Sequence, residues 1–435
     1  MAYPVVALGF ALASVGLPVR APKLAGMSAH RLEAISHVVM RGIGAGGYPG
    51  AAVVVGRNGY VVWERGFGRL SWTTSSPRVT PEGTLYDLAS LTKVVGTTTA
   101  IMILYDQGRI SLDTPVNAYL PAFTGGYKDS VTIRQLLTHR SGLPAGRDLW
   151  RLATNPQDAR RYVMDTPLVC RPGDCFMYSD LGFDLLGMVV ESVSGEGLDV
   201  FLTEHVFQPL HMDETFYRPA DSLRARVAPT EVSPPRGYPL QGEVHDENAY
   251  ALGGVAGHAG LFSTAADLAV FAQMMLNGGS YNGVHIISDT TTALFTRRAA
   301  GTRALGWDTC DDEGSCGRFL SDRSYGHTGF TGTSIWIDPD RQMFVILLTN
   351  RVHAARARRP AKVIADVRAD LADASAAAVL DDPSRSLATP VSFRSDRAIG
   401  WNHTPRARRS PRSRAAARAR RSHAQRRKTP AAKSK

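Results

Sequence analysis

No run of about 18 consecutive apolar residues occurs anywhere in the 435-residue chain, which excludes a bundle of membrane-spanning helices. Acidic residues are missing from residues 401–435, a stretch that holds 13 Lys and Arg. Leu, Ile, Val and Phe are missing there too, so this stretch cannot bury a core. Without it, 37 Lys and Arg stand against 39 Asp and Glu over residues 1–400. The net charge of +11 therefore belongs to a tail. A near-neutral body argues against a specific nucleic-acid-binding core. Cysteine is scarce, and its 4 copies fall as two local pairs. Cys170 and Cys175 flank Arg-Pro-Gly-Asp; Cys310 and Cys316 flank Asp-Asp-Glu-Gly-Ser. Short loops rich in turn residues close easily, so two local disulfides and an oxidising compartment are expected. Four reduced thiols in a cytosolic protein are the alternative. The second pair is spaced too widely for a usual zinc site.

Tyr3–Val19 is uncharged but broken by Pro4 and Pro18. Its apolar centre, Val5 to Gly16, has the length of a signal-peptide core, and Val19-Arg20-Ala21 puts small residues where a cleavage site wants them. No Lys or Arg precedes the segment, and Pro22 follows the cut. Export to the periplasm or cell envelope, with or without an N-terminal anchor, is the expectation. Residues 1–26 then read as a signal or anchor segment with a linker, and 27–372 as the folded body. Residues 373–435 read as a disordered tail, strongly basic from 401, that would contact anionic envelope polymers or lipid.

Periodicity predicts a helix over about 27–43, capped by Ser28, with Leu32, Ile35, Val39 and Ile43 on one face. Strands Ala51–Val55 and Tyr60–Arg65 follow, joined through Arg57-Asn58-Gly59, a strong hairpin signal. Ser90–Tyr105 reads as a central buried helix whose Gly96 and Thr97–Thr99 allow close packing. Short helices are expected at Val131–Thr138 and Ala266–Leu276, strands at Ser334–Asp338 and Met343–Thr349, and a last helix over about 361–371. Strands near both ends bracket a helical middle. The fold class is α+β, with an antiparallel sheet, flanking helices and a mostly helical lobe.

Three motifs carry chemistry. In Ser90-Leu-Thr-Lys93, residues three apart share a helix face, so hydroxyl and amine point into one space. The lysine can take the serine proton, and the helix N-terminus favours a developing oxyanion. Tyr178-Ser-Asp180 precedes an apolar helix. His327-Thr328-Gly329 and Phe330 precede the strand Ser334–Asp338. His245, Asp246 and His258 invite a metal reading, but the H-x-H-x-D cluster of a metallo-hydrolase is missing. Glu243, His245 and Asp246 read instead as bracing a loop beside the site. No metal or cofactor is expected.

In this order and spacing the three motifs resemble those of the serine β-lactamase and penicillin-binding-protein superfamily, over roughly residues 28–372. Leu136-Leu-Thr-His-Arg-Ser-Gly-Leu-Pro144 and Gly257-His-Ala-Gly-Leu-Phe-Ser-Thr264 belong to the same pattern. The stretch Gly242-Glu-Val-His-Asp-Glu-Asn-Ala249 is similar to that of penicillin-binding-protein 4B-type D-alanyl-D-alanine carboxypeptidases. The resemblance implies that Ser90 is acylated, that Lys93 activates it and that Tyr178 shuttles the proton. The backbone amides of Ser90 and Phe330 would form the oxyanion hole. Asp180, His327, Thr328 and Gly329 would bind substrate, a small molecule or a peptidoglycan stem peptide. Two departures stand out: Asp180 where Asn is usual, and Phe330 after the third motif. An exported D-alanyl-D-alanine carboxypeptidase is the expected activity. An esterase or β-lactamase on the same scaffold, and a non-catalytic envelope module, remain open.

Overall fold

The computed structural model describes residues 16–233, 236–311, 314–353, 361–382 and 387–397. Most of the Tyr3–Val19 segment and all of the basic stretch from Trp401 lie outside them. Among the described residues, no helix is long and apolar enough to cross a membrane.

The predicted hairpin forms. Asn58 and Gly59 adopt φ of 52° and 85°, the left-handed pair that this two-residue turn requires. They join strands Gly50–Arg57 and Tyr60–Gly68. The late strands Ser334–Asp338 and Met343–Thr349 stand where they were expected. The two pairs fuse because Met343–Thr349 lies antiparallel beside Gly50–Arg57, with Ala51 opposite Thr349 and Val55 opposite Val345. The resulting sheet has six strands in the order 60–68, 50–57, 343–349, 334–338, 325–328, 308–309. The expected α+β class holds.

Strand 50–57 is buried throughout and faces two cores. Ala52 and Val54 join the larger one, which contains the helix Ala265–Leu276. Ala51, Val53 and Val55 join a second one built on the helices Ala34–Gly44 and Ala361–Ala377. A strand covered on both sides needs an unbroken apolar run rather than an alternating one. A smaller sheet of Tyr86–Asp87, Leu261–Ser263 and Phe216–Tyr217 lies on the helical side.

The segment 90–105 is buried as expected, but it is not one regular helix. A 3₁₀ turn, Ala89–Leu91, leads into a π-helical stretch, Lys93–Thr98, and α geometry holds only over Thr99–Asp106. Thr99 Oγ1 donates to the Val94 carbonyl five residues back, a competition with the backbone that widens the coil. The helix expected over 27–43 is likewise two, Ala29–Leu32, capped by Ser28, and Ala34–Gly44. Glu33 between them has a 3₁₀-like ψ of −18° and turns its carboxylate to Arg65.

Both expected boundaries move. Residues 16–26 belong to the body: Leu17 is buried, the Val61 amide donates to the Pro18 carbonyl, and Arg57 donates to Ala25 and Gly26. A cut in Val19-Arg20-Ala21 would remove Leu17 and the Pro18 carbonyl from the edge strand and leave the Arg57 contacts to Ala25 and Gly26 in place. At the other end the last helix runs to Ala377, and Val379, Leu387 and Phe393 are buried. Asp373, the expected start of the tail, accepts from the Phe319 amide and from Arg394. Periodicity failed there because Ala372–Ala378 packs by smallness on every side, without an apolar stripe. Cys170 pairs with Cys175 and Cys310 with Cys316, as expected.

Candidate active site

Ser90 follows a strained residue. Ala89 has φ of 48°, held by Asp87, whose Oδ1 accepts the Ala89 amide at 2.8 Å and whose Oδ2 accepts the His245 amide at 2.6 Å. Left-handed backbone at a non-glycine costs on the order of 1–3 kcal/mol and persists only where the surroundings over-determine it. Ser90 emerges half-buried, whereas Lys93 is wholly buried. Lys93 Nζ lies 3.0 Å from Ser90 Oγ, 3.1 Å from the His258 carbonyl and 2.7 Å from Asp180 Oδ1. Three neighbours use up a tetrahedral nitrogen. Nζ donates to the Ser90 hydroxyl and to the His258 carbonyl, and meets Asp180 Oδ1 as an ion pair outside hydrogen-bond geometry. Proton abstraction needs the neutral amine, with its lone pair turned to Ser90 Oγ. Burial alone would lower the lysine pKa. The Asp180 carboxylate, with the Tyr178 hydroxyl, outweighs burial and holds it above the ordinary lysine range.

The second motif forms a helix start. Ser179 caps the helix Asp180–Ser194, accepting the Gly182 amide at 3.3 Å and donating to the Pro144 carbonyl at 2.7 Å. Tyr178 therefore stands just outside the helix and Asp180 opens it, both turned to Lys93. His139 backs Tyr178 with ring centroids 4.4 Å apart, and its Nδ1 accepts the Ser179 amide at 3.0 Å. Burial, aided by Arg303, keeps His139 neutral by pushing its pKa well down.

The third motif ends the strand Tyr325–Thr328, with His327 opposite Ile335 and Thr328 opposite Ser334. His327 is buried and kept neutral chiefly by that burial. Its Nδ1–H donates to the Thr328 carbonyl at 2.8 Å, while Nε2 has no partner among the described residues. Gly329 is required: a Cβ there would fall 2.5 Å from the Leu88 carbonyl. The following loop is tied to the segment before Ser90, since Thr331 Oγ1 donates to Asp87 O at 2.8 Å and Thr333 Oγ1 to Leu88 O at 2.9 Å. Arg368 locks it from behind, donating to the Gly329 and Thr333 carbonyls, both at 2.7 Å. Burial pushes the Arg368 guanidinium down to about 9. This loop carries Phe330, whose ring is exposed between His245 and Arg351 and whose amide has no acceptor among the described residues. Ser90 sits in a first helical turn, where amides lack an intrahelical acceptor. Two such amides, fixed in one network, can hold an oxyanion.

The structure thus gathers Ser90, Lys93, Tyr178, Asp180, His327, Thr328, Gly329 and Phe330 at one place. It adds Asp87, His139, His258, Arg303 and Arg368. Arg303 comes from the loop before the edge strand, its guanidinium 5.5 Å from the Tyr178 ring centroid and 5.7 Å from that of Phe176. It pairs with Asp308 at 3.4 Å, and its Nη1 has no hydrogen-bond partner among the described residues. No local motif marks it. His258, weighed as a metal ligand, instead has a carboxylate oxygen on each ring nitrogen.

A half-buried serine against a buried lysine, between an antiparallel sheet and a helical body, is the arrangement of a class, the serine β-lactamase-related hydrolases. The chain belongs to the β-lactamase family, whose model matches residues 35–369. It is 35% identical to an N-acetylmuramyl-L-alanine amidase of Bacillus subtilis, over 75% of this chain and 82% of that one. It is 32% identical to an Escherichia coli protein named "Putative D-alanyl-D-alanine carboxypeptidase", over 77% of this chain and 85% of that one. A penicillin-binding-protein homologue from Caulobacter crescentus shares the fold at a TM-score of 0.64 and 22% identity, covering 81% of this chain and 99% of its own.

Proposed function

We propose that this protein is a cell-envelope D-alanyl-D-alanine carboxypeptidase working through an acyl-enzyme on Ser90. The observation that carries the reading is the buried Lys93 amine 3.0 Å from Ser90 Oγ, hydrogen-bonded to the His258 carbonyl and ion-paired with Asp180. Ser90 Oγ attacks the carbonyl carbon of the penultimate D-alanine while its proton moves to Lys93. The Ser90 and Phe330 amides hold the oxyanion. Through Tyr178 the proton reaches the leaving nitrogen, the C–N bond breaks, and D-alanine departs. Water then cleaves the Ser90 ester. Arg303 favours this substrate, because the departing residue ends in a carboxylate and the guanidinium has an unused N–H beside Tyr178. The relative named as a carboxypeptidase agrees. The relative named as an amidase favours a second reading, cleavage between muramic acid and L-alanine. Two local disulfides support an oxidising compartment, hence export, and the basic tail is proposed to be attracted to anionic polymers or lipid there.

Mass spectrometry of pentapeptide muropeptides after incubation decides between the readings. Loss of one D-alanine is expected. Separation of sugar from intact peptide would establish the amidase instead, and no cleavage together with no acylation by an activated ester would leave a non-catalytic module. Arg303→Gln is expected to raise KM for the carboxylate-ended peptide by about 10–100-fold, the worth of a hydrogen bond to a charged group. A neutral ester should lose far less. Equal losses on both would remove Arg303 from substrate binding.

A further inference from the structure

We propose that His258 is a positioning residue for Lys93: gripped by Asp184 and Asp246, its side chain fixes the backbone carbonyl that orients the lysine amine. The proposal rests on the acyl-enzyme reading above.

His258 is buried, with Nδ1 2.6 Å from Asp184 Oδ1 and Nε2 3.0 Å from Asp246 Oδ1. With a carboxylate oxygen against each nitrogen, both nitrogens carry hydrogen and the ring is an imidazolium. Burial opposes that charge, but the two carboxylates outweigh burial and hold the imidazole pKa well above its ordinary value. Asp246 is itself fixed, since its Oδ1 caps the helix Glu247–Ala251 and accepts the amides of Asn248 and Ala249 at 2.9 Å. Asp184 is fixed by its helix, where it lies four residues after Asp180 and so on the same face. One helix face therefore reaches Lys93 twice, directly through Asp180 and indirectly through Asp184, His258 and the His258 carbonyl.

The backbone around His258 is held with the same care. A Cβ on Gly257 would fall 1.8 Å from the Phe183 carbonyl, so only glycine lets the segment lie against that helix. On its other side, the Gly257 carbonyl accepts from Thr97 Oγ1 at 2.6 Å and the His258 carbonyl from Lys93 Nζ at 3.1 Å. Consecutive carbonyls thus meet two side chains of the π-helical stretch. A slip of this segment would misdirect the amine.

The charged groups facing His258 are Asp184 and, further along, Asp180 on one helix, Asp246 ahead of the short helix, and Lys93. Those facing Lys93 are Asp180, Tyr178, His139, His327 and, further off, Asp246. Two cations thus stand among three carboxylates, and any change of charge in the clamp is felt at Lys93. Loss of the imidazolium leaves Asp184 and Asp246 uncompensated, so Lys93 holds its proton more tightly. Loss of either carboxylate does the opposite.

The test is the pH dependence of Ser90 acylation by an activated ester, followed by intact-protein mass spectrometry. His258→Gln should lower the rate at least tenfold and move the ascending limb to higher pH. Asp184→Asn and Asp246→Asn should move it to lower pH. A prop without this role would change only how much protein is active, and the limb position does not depend on that amount. Limbs that coincide with the wild type, or that all move the same way, would overturn the proposal. If His258→Gln fails to fold, Asp246→Asn carries the test alone, because Asn is as good a helix cap as Asp and only the charge is lost. Ser90→Ala runs alongside. Label retained there sinks the acyl-enzyme reading, whereas label lost with unmoved limbs sinks the clamp only.

Discussion

Lys93→Ala is expected to slow acylation of Ser90 by about 10²–10⁴-fold, or roughly 3–5 kcal/mol of barrier. Ser90→Ala should end acylation entirely. The size of the first effect follows from isolation. Lys93 Nζ is the one amine that contacts Ser90 Oγ among the described residues, and burial keeps water from replacing it easily. His139 and His327, the other bases near the site, do not contact Ser90; His139 spends its acceptor nitrogen on the Ser179 amide. Removing the amine also leaves the His258 carbonyl without a donor and Asp180 without its counter-charge. Breaking a buried ion pair costs about 3–5 kcal/mol, but the Asp180 side chain is 31% exposed, so water will offset much of that here. Thermal unfolding measured beside the rate separates the two losses. An acylation rate within tenfold of wild type, per folded molecule, would mean that another group takes the serine proton.

The parts of this site that could be read from the chain are those written locally. Ser90 and Lys93 are one helical turn apart, Tyr178 and Asp180 straddle a helix start, and His327 to Phe330 straddle a strand end. Each depends on nearby backbone geometry, and the structure brings all three motifs to one place. The missing parts are contacts between distant segments. Arg368 reaches Gly329 across 39 residues, and His258 reaches Lys93 across 165. No spacing rule encodes such pairs; they follow only once the sheet has brought the chain ends together. The errors in the fold have local causes that neither propensity nor apolar period records. The π-helical stretch arises where Thr99 competes for a carbonyl, and Ala372–Ala378 packs without an apolar period. The left-handed Ala89 is invisible to propensity because Asp87 enforces it.

Asp180→Asn is expected to move the ascending limb of the pH–acylation profile to lower pH by about one to three pH units, the usual effect of one adjacent opposite charge. At a pH on the wild-type limb, the variant should therefore acylate at least tenfold faster. The sign follows from the geometry. Asp180 Oδ1 lies 2.7 Å from Lys93 Nζ, and its charge helps to hold the lysine pKa above the ordinary range against the opposing pull of burial. The base is active only after the ammonium loses its proton, so the rate rises as pH passes that pKa. An uncharged Asn removes the stabilisation, burial then dominates, and the amine becomes free at lower pH. The His258 carbonyl still accepts one Lys93 hydrogen at 3.1 Å, which keeps the amine beside Ser90. On the proposed mechanism Asp180 would act as a brake whose strength depends on pH, at the position where its charge lies nearest the lysine. A limb moving to higher pH would reverse that assignment. Superimposed profiles would show that the carboxylate only holds the amine in place, with the lysine proton governed by the clamp around His258.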